Sequence, residues 1–435
     1  LEIQPPAYPL SRDAFKNALC RGHGRALIHA GNFGVADFRG EILEAATTCL
    51  VYDTQFDGYR EWWLARLCEA AGLIDTVINL PPDGSEKDRS QRAALLMEFA
   101  VTGHQAALPK LYEMCCFDHP DDEIYGCCEL IRADGKRGLI FVAKRLGRRL
   151  IEDADYWVCD WELALFDELH GEGRGEAVLA EAALSDGDIL AYLEGVRSYQ
   201  SSEEKGKGAR SETIRPVEDI LELIEASTER EPHLRGWGRR ASREDLAKIA
   251  DLLTIGRSPV TLINALLCLG RNGLPSFDAG LLWLAFHEDD NVRFHATRLF
   301  SHHDEPQVRS AGLALIGSGD LLGGTAMLRL SARNGDAEAI LAALGRQDPD
   351  EDGHGILSNL VQLLERNETM REPLVPLHVY EYSPCMHCRE RAIEILIKWE
   401  ACPQWVLDEA SRDASADIRS LVGSCGSSHQ RETSA

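Results

Sequence analysis

The sequence predicts an all-α protein in which short helices stack serially into an α–α superhelix, in two helical segments joined by a flexible linker. Three observations carry this. Apolar residues recur at helical spacing almost throughout. Leu139, Val142, Ala143, Leu146 and Leu150 follow i, i+3/i+4, i+7, and Leu246, Ile249, Leu252 and Leu253 do the same. Period-2 alternation is nearly absent, with Leu377-His378-Val379-Tyr380 the best short strand candidate. Start and stop signals follow one another closely. Ser242 ahead of Glu244 and Asp245 marks a helix N-terminus, and Gly256, Gly270, Gly273 and Gly317 stand where helices end.

Residues 1–197 read as an N-terminal helical region of degenerate repeats. Within it, Arg92-Ala93-Ala94-Leu95-Leu96 followed by Gly103 and Ala106-Ala107-Leu108 has the repeat texture. The stretch from Ser198 to Glu212 carries no Val, Leu, Ile or Met and is rich in Ser, Glu, Lys and Gly. It is expected to be a mobile loop open to proteolytic nicking. With the short amphipathic segment Val217 to Ile224 and the polar stretch Thr228 to Arg240, it forms a linker over 198–240. The C-terminal domain is expected over 241–424. Its helices are predicted at Asp245–Leu253, Pro259–Leu269, Ala279–Phe286, Val292–Phe300, Val308–Ile316, Ala337–Leu344, Ile356–Glu365, Cys388–Trp399 and Gln404–Ala410. Helices of about a dozen residues are marginal alone and must bury a face on their neighbours, which makes a solenoid. Residues 425–435 are expected to be a disordered tail.

Asp290-Asn291-Val292-Arg293-Phe294-His295-Ala296 resembles the Asp-x-x-Val-Arg-x-x-Ala signature that opens the second helix of a HEAT-type repeat. Pro306-Gln307-Val308-Arg309, Cys388-Arg389-Glu390-Arg391-Ala392 and Asp417-Ile418-Arg419 echo it. The resemblance covers roughly residues 240–424, with irregular spacing. It implies that the aliphatic or Cys side chain enters the core. It also implies that the following Arg runs along the repeat interface, where in the family it commonly pairs with an Asp of a neighbouring repeat.

The 435 residues correspond to two to four domains or one extended array. With 44% hydrophobic residues the chain can bury a core. Its 46 basic and 71 acidic side chains leave a formal charge of −25, which argues against nucleic acid or an anionic membrane as partner. The thirteen cysteines are odd in number and irregularly spaced, as expected of free thiols in a reducing cytoplasm. No charged-then-apolar leader opens the sequence at Leu1, and runs such as Val260 to Leu269 are too short to span a bilayer.

Cys385-Met386-His387-Cys388 is the sharpest chemical cluster. Cys-x-x-Cys spacing suits Zn²⁺ and His387 adds a nitrogen, but a second ligand pair is lacking nearby, and Cys388 falls in the repeat's core slot. Buried free thiols are the expectation, with no cofactor. A redox role lacks the βαβ surroundings of thioredoxin-like motifs. The HEAT-type deoxyhypusine hydroxylases hold two irons with several His-Glu pairs. Here there is one pair, His287-Glu288, plus His302-His303-Asp304-Glu305, and these are read as polar loop residues. HEAT-like DNA glycosylases cradle a duplex on a basic face with aromatic residues. Trp62-Trp63, Trp157 and Trp161 are present, but the charge balance opposes that reading. Gly22-His23-Gly24 and Gly31-Asn32-Phe33-Gly34 match no phosphate-binding fingerprint.

The charge is unevenly distributed. Arg132 to Arg149 holds seven bases and one acid, and Glu152 to Glu194 holds thirteen acids and one base. Lys144 with Arg148, and Arg145 with Arg149, are i, i+4 pairs that form a basic stripe. The stripe is expected to pair with the following acidic helices or to be a merely solvated face, or else to serve as a docking surface for a partner protein. Arg235, Trp237, Arg239 and Arg240 add an Arg- and Trp-rich segment, with an exposed-looking Trp, of the kind that anchors interfaces or equally packs as an interdomain joint. The function expected is a non-catalytic scaffold or regulatory module that recognises a partner protein. Two alternatives are a metal-dependent or lyase-type HEAT enzyme, and nucleic-acid binding through the 132–149 stripe.

Overall fold

A computed structural model of the chain describes residues 3–81, 83–116, 123–153, 155–209, 214–346 and 353–423. Every regular element among them is a helix. Contacts divide the described residues into two compact units. One holds 6–209 and 408–423; the other holds 3–5 and 214–407.

The first unit begins with α1 (Arg12–Arg21), α2 (Arg25–Phe33), α3 (Arg39–Thr47), α4 (Thr54–Asp57), α5 (Glu61–Ala70) and α6 (Ile74–Asn79). It continues with α7 (Glu86–Val101), α8 (Ala107–Cys116), α9 (Cys127–Glu152), α10 (Trp161–His170), α11 (Arg174–Ala183) and α12 (Gly187–Ala209). Local chemistry sets several starts. Ser11 Oγ accepts from Ala14 N–H at the head of α1, and Ser85 with Asp88 forms a capping box on α7. Helix α9 is the hub, packed on α7, α8, α10, α11 and α12, and it bends at Gly135, where φ is 53°. Helices α9 and α12 come into backbone contact at Gly147. A Cβ built there would lie 1.7 Å from the Asp188 carbonyl oxygen.

The stretch expected to be a loop from Ser198 is helical as far as Ala209, and residues 210–212 lie outside the described residues. The buried Ile189, Tyr192, Leu193 and Val196 fix the first half of α12. Extending a helix once it is nucleated costs far less than starting one, so the polar sequence that follows stays helical. The tail 425–435 also lies outside the described residues.

Residues 408–423 belong to this first unit. Ala414 N–H donates to the Gly22 carbonyl at 2.9 Å, Arg25 pairs with Glu409, and the Arg419 guanidinium lies 3.8 Å from the Trp62 ring centre.

The second unit contains α13 (Val217–Ala226), α14 (Leu234–Gly238), α15 (Arg243–Ala250), α16 (Pro259–Leu269) and a 3₁₀ segment (Ala279–Phe286). Then follow α17 (Asp290–Phe300), α18 (Pro306–Ser318), α19 (Leu321–Ser331), α20 (Asp336–Leu344), α21 (Gly353–Arg366), α22 (Leu374–Tyr382), α23 (Met386–Lys398) and the start of α24 (Gln404–Ala410). Alternate helices are neighbours. Helices α14, α16, α17, α19, α21 and α23 touch in that order, while the 3₁₀ segment, α18, α20 and α22 form a second file. Leu377–Tyr380, expected to be a strand, lies within α22. Every residue from Val375 to Tyr380 is buried, and an apolar run enclosed on all sides carries no periodicity to separate helix from strand.

The core positions of the repeat-like motif behave alike, whereas its arginines differ. Val292, Val308, Cys388 and Ile418 are all buried. Arg293 donates to the carbonyls of His287 and Glu288, six and five positions back. Arg419 does the same to Asp413 and Ala414. Arg309 pairs with Asp336 on α20, and Arg389 is fully buried. The twelve described cysteines are free thiols. Among the described residues no helix is long and apolar enough to cross a membrane.

Candidate functional site

The basic stripe on α9 is engaged within its own unit. Lys144 Nζ lies 2.6 Å from Asp186, Arg148 3.2 Å from Asp188, Lys136 3.3 Å from Glu181 and Arg149 3.9 Å from Asp153. Arg145 also has interactions of its own. The Lys144 ammonium holds the Asp186 carboxyl below the usual carboxylate range. All four acids lie in the acidic segment after Glu152, so these side chains of the stripe make ion pairs within the chain, three of them to α11 or the start of α12 and one within four positions.

Arg235 and Arg239 stand elsewhere, at a cleft of about 200 Å³ across α14, α16 and α17. Arg271, just past α16, and Arg298 of α17 line it with them, and His295 and the α16 residues Leu266 and Leu267 supply the rest of the wall. The Arg298 guanidinium lies over the Phe294 ring, 3.9 Å from its centre. Among the described residues no carboxylate forms an ion pair with Arg235, Arg239, Arg271 or Arg298. Burial, with Arg235 beside it, holds the Arg298 guanidinium below its ordinary pKa. Burial and the positive charges of Arg230, Arg235 and Arg298 push His295 down to about 4, so its imidazole is neutral at physiological pH.

A second cleft of about 240 Å³ adjoins the first through Gly270 and Arg298 and is lined by Ser301, His302, Arg329, Asn359 and Gln362. Arg329 donates to His302 Nδ1 at 3.2 Å, so His302 carries its proton on Nε2, which donates to the Gly270 carbonyl at 3.2 Å. Burial, with Arg366 beside it, lowers Arg329. A protein of charge −25 thus presents arginines from four successive helices of one file without acids among them.

Trp237, read as either an exposed interface anchor or a packed joint, is 5% exposed. Its Nε1–H donates to the Arg215 carbonyl at 2.9 Å, which ties α14 to the segment that leads into α13. Arg240 Nε donates to the Gly236 carbonyl at 3.3 Å.

No family model, no curated protein and no solved structure matches this chain.

The cysteine motif acquires a partner that the sequence did not offer. Cys385 caps α23, Cys388 lies in its first turn, and both face His354 near the start of α21. The three ligand atoms lie within 4.8 Å of one another, with Cys388 Sγ 3.6 Å from His354 Nε2. The Cys388 thiol donates to Cys385, which favours thiolate at Cys385 and raises Cys388. His387 does not join them. It is 61% exposed and its Nδ1 lies 3.7 Å from Glu390. One residue along a helix turns a side chain by about 100°, away from the face shared by positions 385 and 388.

His287 and His303 cap loops. His287 Nδ1 accepts from Asp289 N–H and His303 Nε2 from Leu274 N–H, both at 3.0 Å. Asp304 pairs with Arg333 at 2.7 Å. Trp63 is buried and Trp62 lies between Arg66 and Arg419, while Trp157 and Trp161 are exposed.

Proposed function

We propose that the second unit is a HEAT-like α-solenoid that acts as a non-catalytic recognition module in the reducing cytoplasm. It would take an acidic, phosphate- or carboxylate-bearing segment of a partner protein into its arginine clefts. The observation that carries this is the set Arg235, Arg239, Arg271, Arg298 and Arg329, gathered around two adjoining clefts with no acid on the lining. Like charges crowded in partly buried space are costly unless an anion joins them, and guanidinium groups bind carboxylate and phosphate through paired donors. The contacts of Arg293 with the His287 and Glu288 carbonyls, and the Arg309–Asp336 pair between α18 and α20, support the repeat reading within this unit.

The test is fluorescence polarisation with two labelled peptides, one rich in Glu and one bearing phosphoserines. Binding should weaken as salt rises and fall more than about tenfold in Arg298→Ala and Arg239→Ala. Lys144→Gln, in the paired stripe, should leave it unchanged. Equal loss in Lys144→Gln, or no binding of either peptide, rejects the assignment. A nucleic-acid strand that binds more tightly than both peptides moves it to another class.

A further inference from the structure

We propose that His354, Cys385 and Cys388 form a Zn²⁺ site that ties the start of α21 to the start of α23. The donor set is two thiolate sulfurs and one imidazole nitrogen, the borderline-soft combination that zinc prefers. A tetrahedral zinc with Zn–S of about 2.3 Å and Zn–N of about 2.0 Å places sulfur and nitrogen about 3.5 Å apart. Cys388 Sγ and His354 Nε2 are 3.6 Å apart, and all three donors fit within 4.8 Å.

Core packing alone does not account for this arrangement. Val292, Val308 and Ile418 occupy the positions corresponding to Cys388, so an aliphatic side chain satisfies the packing there. A second thiol one turn away and an imidazole from a different helix, aimed at the same point, are additional. Cys385 and Cys388 are buried and His354 is partly buried, and three protein ligands would leave one position of a tetrahedral ion for water or an exogenous donor. The site is independent of the arginine clefts, whose linings share none of its residues.

The experiment uses the full chain, stripped of metal and reduced, then titrated with Co²⁺. One equivalent should bind with an intense thiolate-to-cobalt charge-transfer band, and Zn²⁺ should bleach it. His354→Ala should weaken binding by more than about tenfold and Cys388→Ser should abolish the band. The neighbouring His387→Ala should bind as the wild type does. A second measurement avoids any folding defect of the variants. In the wild type, Zn²⁺ should protect Cys385 and Cys388 from alkylation and leave the exposed Cys116 equally reactive. Absence of the band in the reduced wild type overturns the site. So does a loss in His387→Ala equal to that in His354→Ala, or alkylation indifferent to Zn²⁺.

Discussion

Arg25 Nε donates to Glu409 Oε2 at 2.9 Å across 384 positions of sequence, with 8% and 2% of the two side chains exposed. A buried ion pair contributes little net stability over an apolar pair, but removing one partner strands a charge in low dielectric. Glu409→Ala should therefore destabilise the first unit by about 3–5 kcal/mol, read as a drop in the urea midpoint. The double change Arg25→Met/Glu409→Leu should cost less than either single truncation. If Glu409→Ala unfolds at the wild-type midpoint, the pair does not hold residues 408–423 to the unit.

Helix α9 can approach α12 so closely only because position 147 has no side chain. Gly147→Val must push the helices apart or distort Asp188, at a cost of about 3 kcal/mol. Gly31, inside α2, is the contrast, because a Cβ there meets nothing within 4 Å. Gly31→Ala should raise stability by about 0.5–1 kcal/mol through helix propensity alone. Thermal unfolding of the two variants should shift in opposite directions. Shifts of the same sign would mean that the α9–α12 approach is not what makes position 147 special.

How far the sequence discloses these features depends on how local each one is. Pro259–Leu269 and Gln404–Ala410 were readable to the residue, since Pro at the first position and a following Gly punctuate one of them and both carry the helical period. Ala279–Phe286 was located but winds as a 3₁₀ segment. Helix α19 is masked in the sequence by Gly323-Gly324, since paired glycines disfavour a helix interior. In the fold, Gly324 is the contact point with α18, where a Cβ would lie 2.7 Å from the Gly312 carbonyl oxygen. Cys385 and Cys388 were legible as a pair because i, i+3 spacing is local, whereas His354 reaches them only through the packing of α21 on α23. The same holds for the arginines. Arg235 and Arg239 stand out as a run, but Arg271, Arg298 and Arg329 are 27 and 31 positions apart and converge only when successive helices stack.

Acid should destabilise the second unit before most of its carboxylates titrate. Burial pushes His378 down to about 4, and His295 falls to about 4 through burial and the neighbouring arginines. Unfolded, both return to about 6.5. Between these values the unfolded chain binds protons that the folded chain refuses, so stability falls as pH drops from about 6.5 to about 4 and levels off below. Each histidine contributes on the order of 3 kcal/mol at most to this loss. Urea unfolding at a series of pH values from 8 to 4 measures it, and His378→Phe should flatten the slope in that window. The two histidines part company when the clefts are filled. An anion beside Arg235 and Arg298 offsets the charges that depress His295, so its proton affinity should rise while that of His378 stays fixed. NMR titration of the two imidazoles, with and without the phosphoserine peptide, distinguishes them. Equal shifts at both histidines would place the anion somewhere other than the clefts.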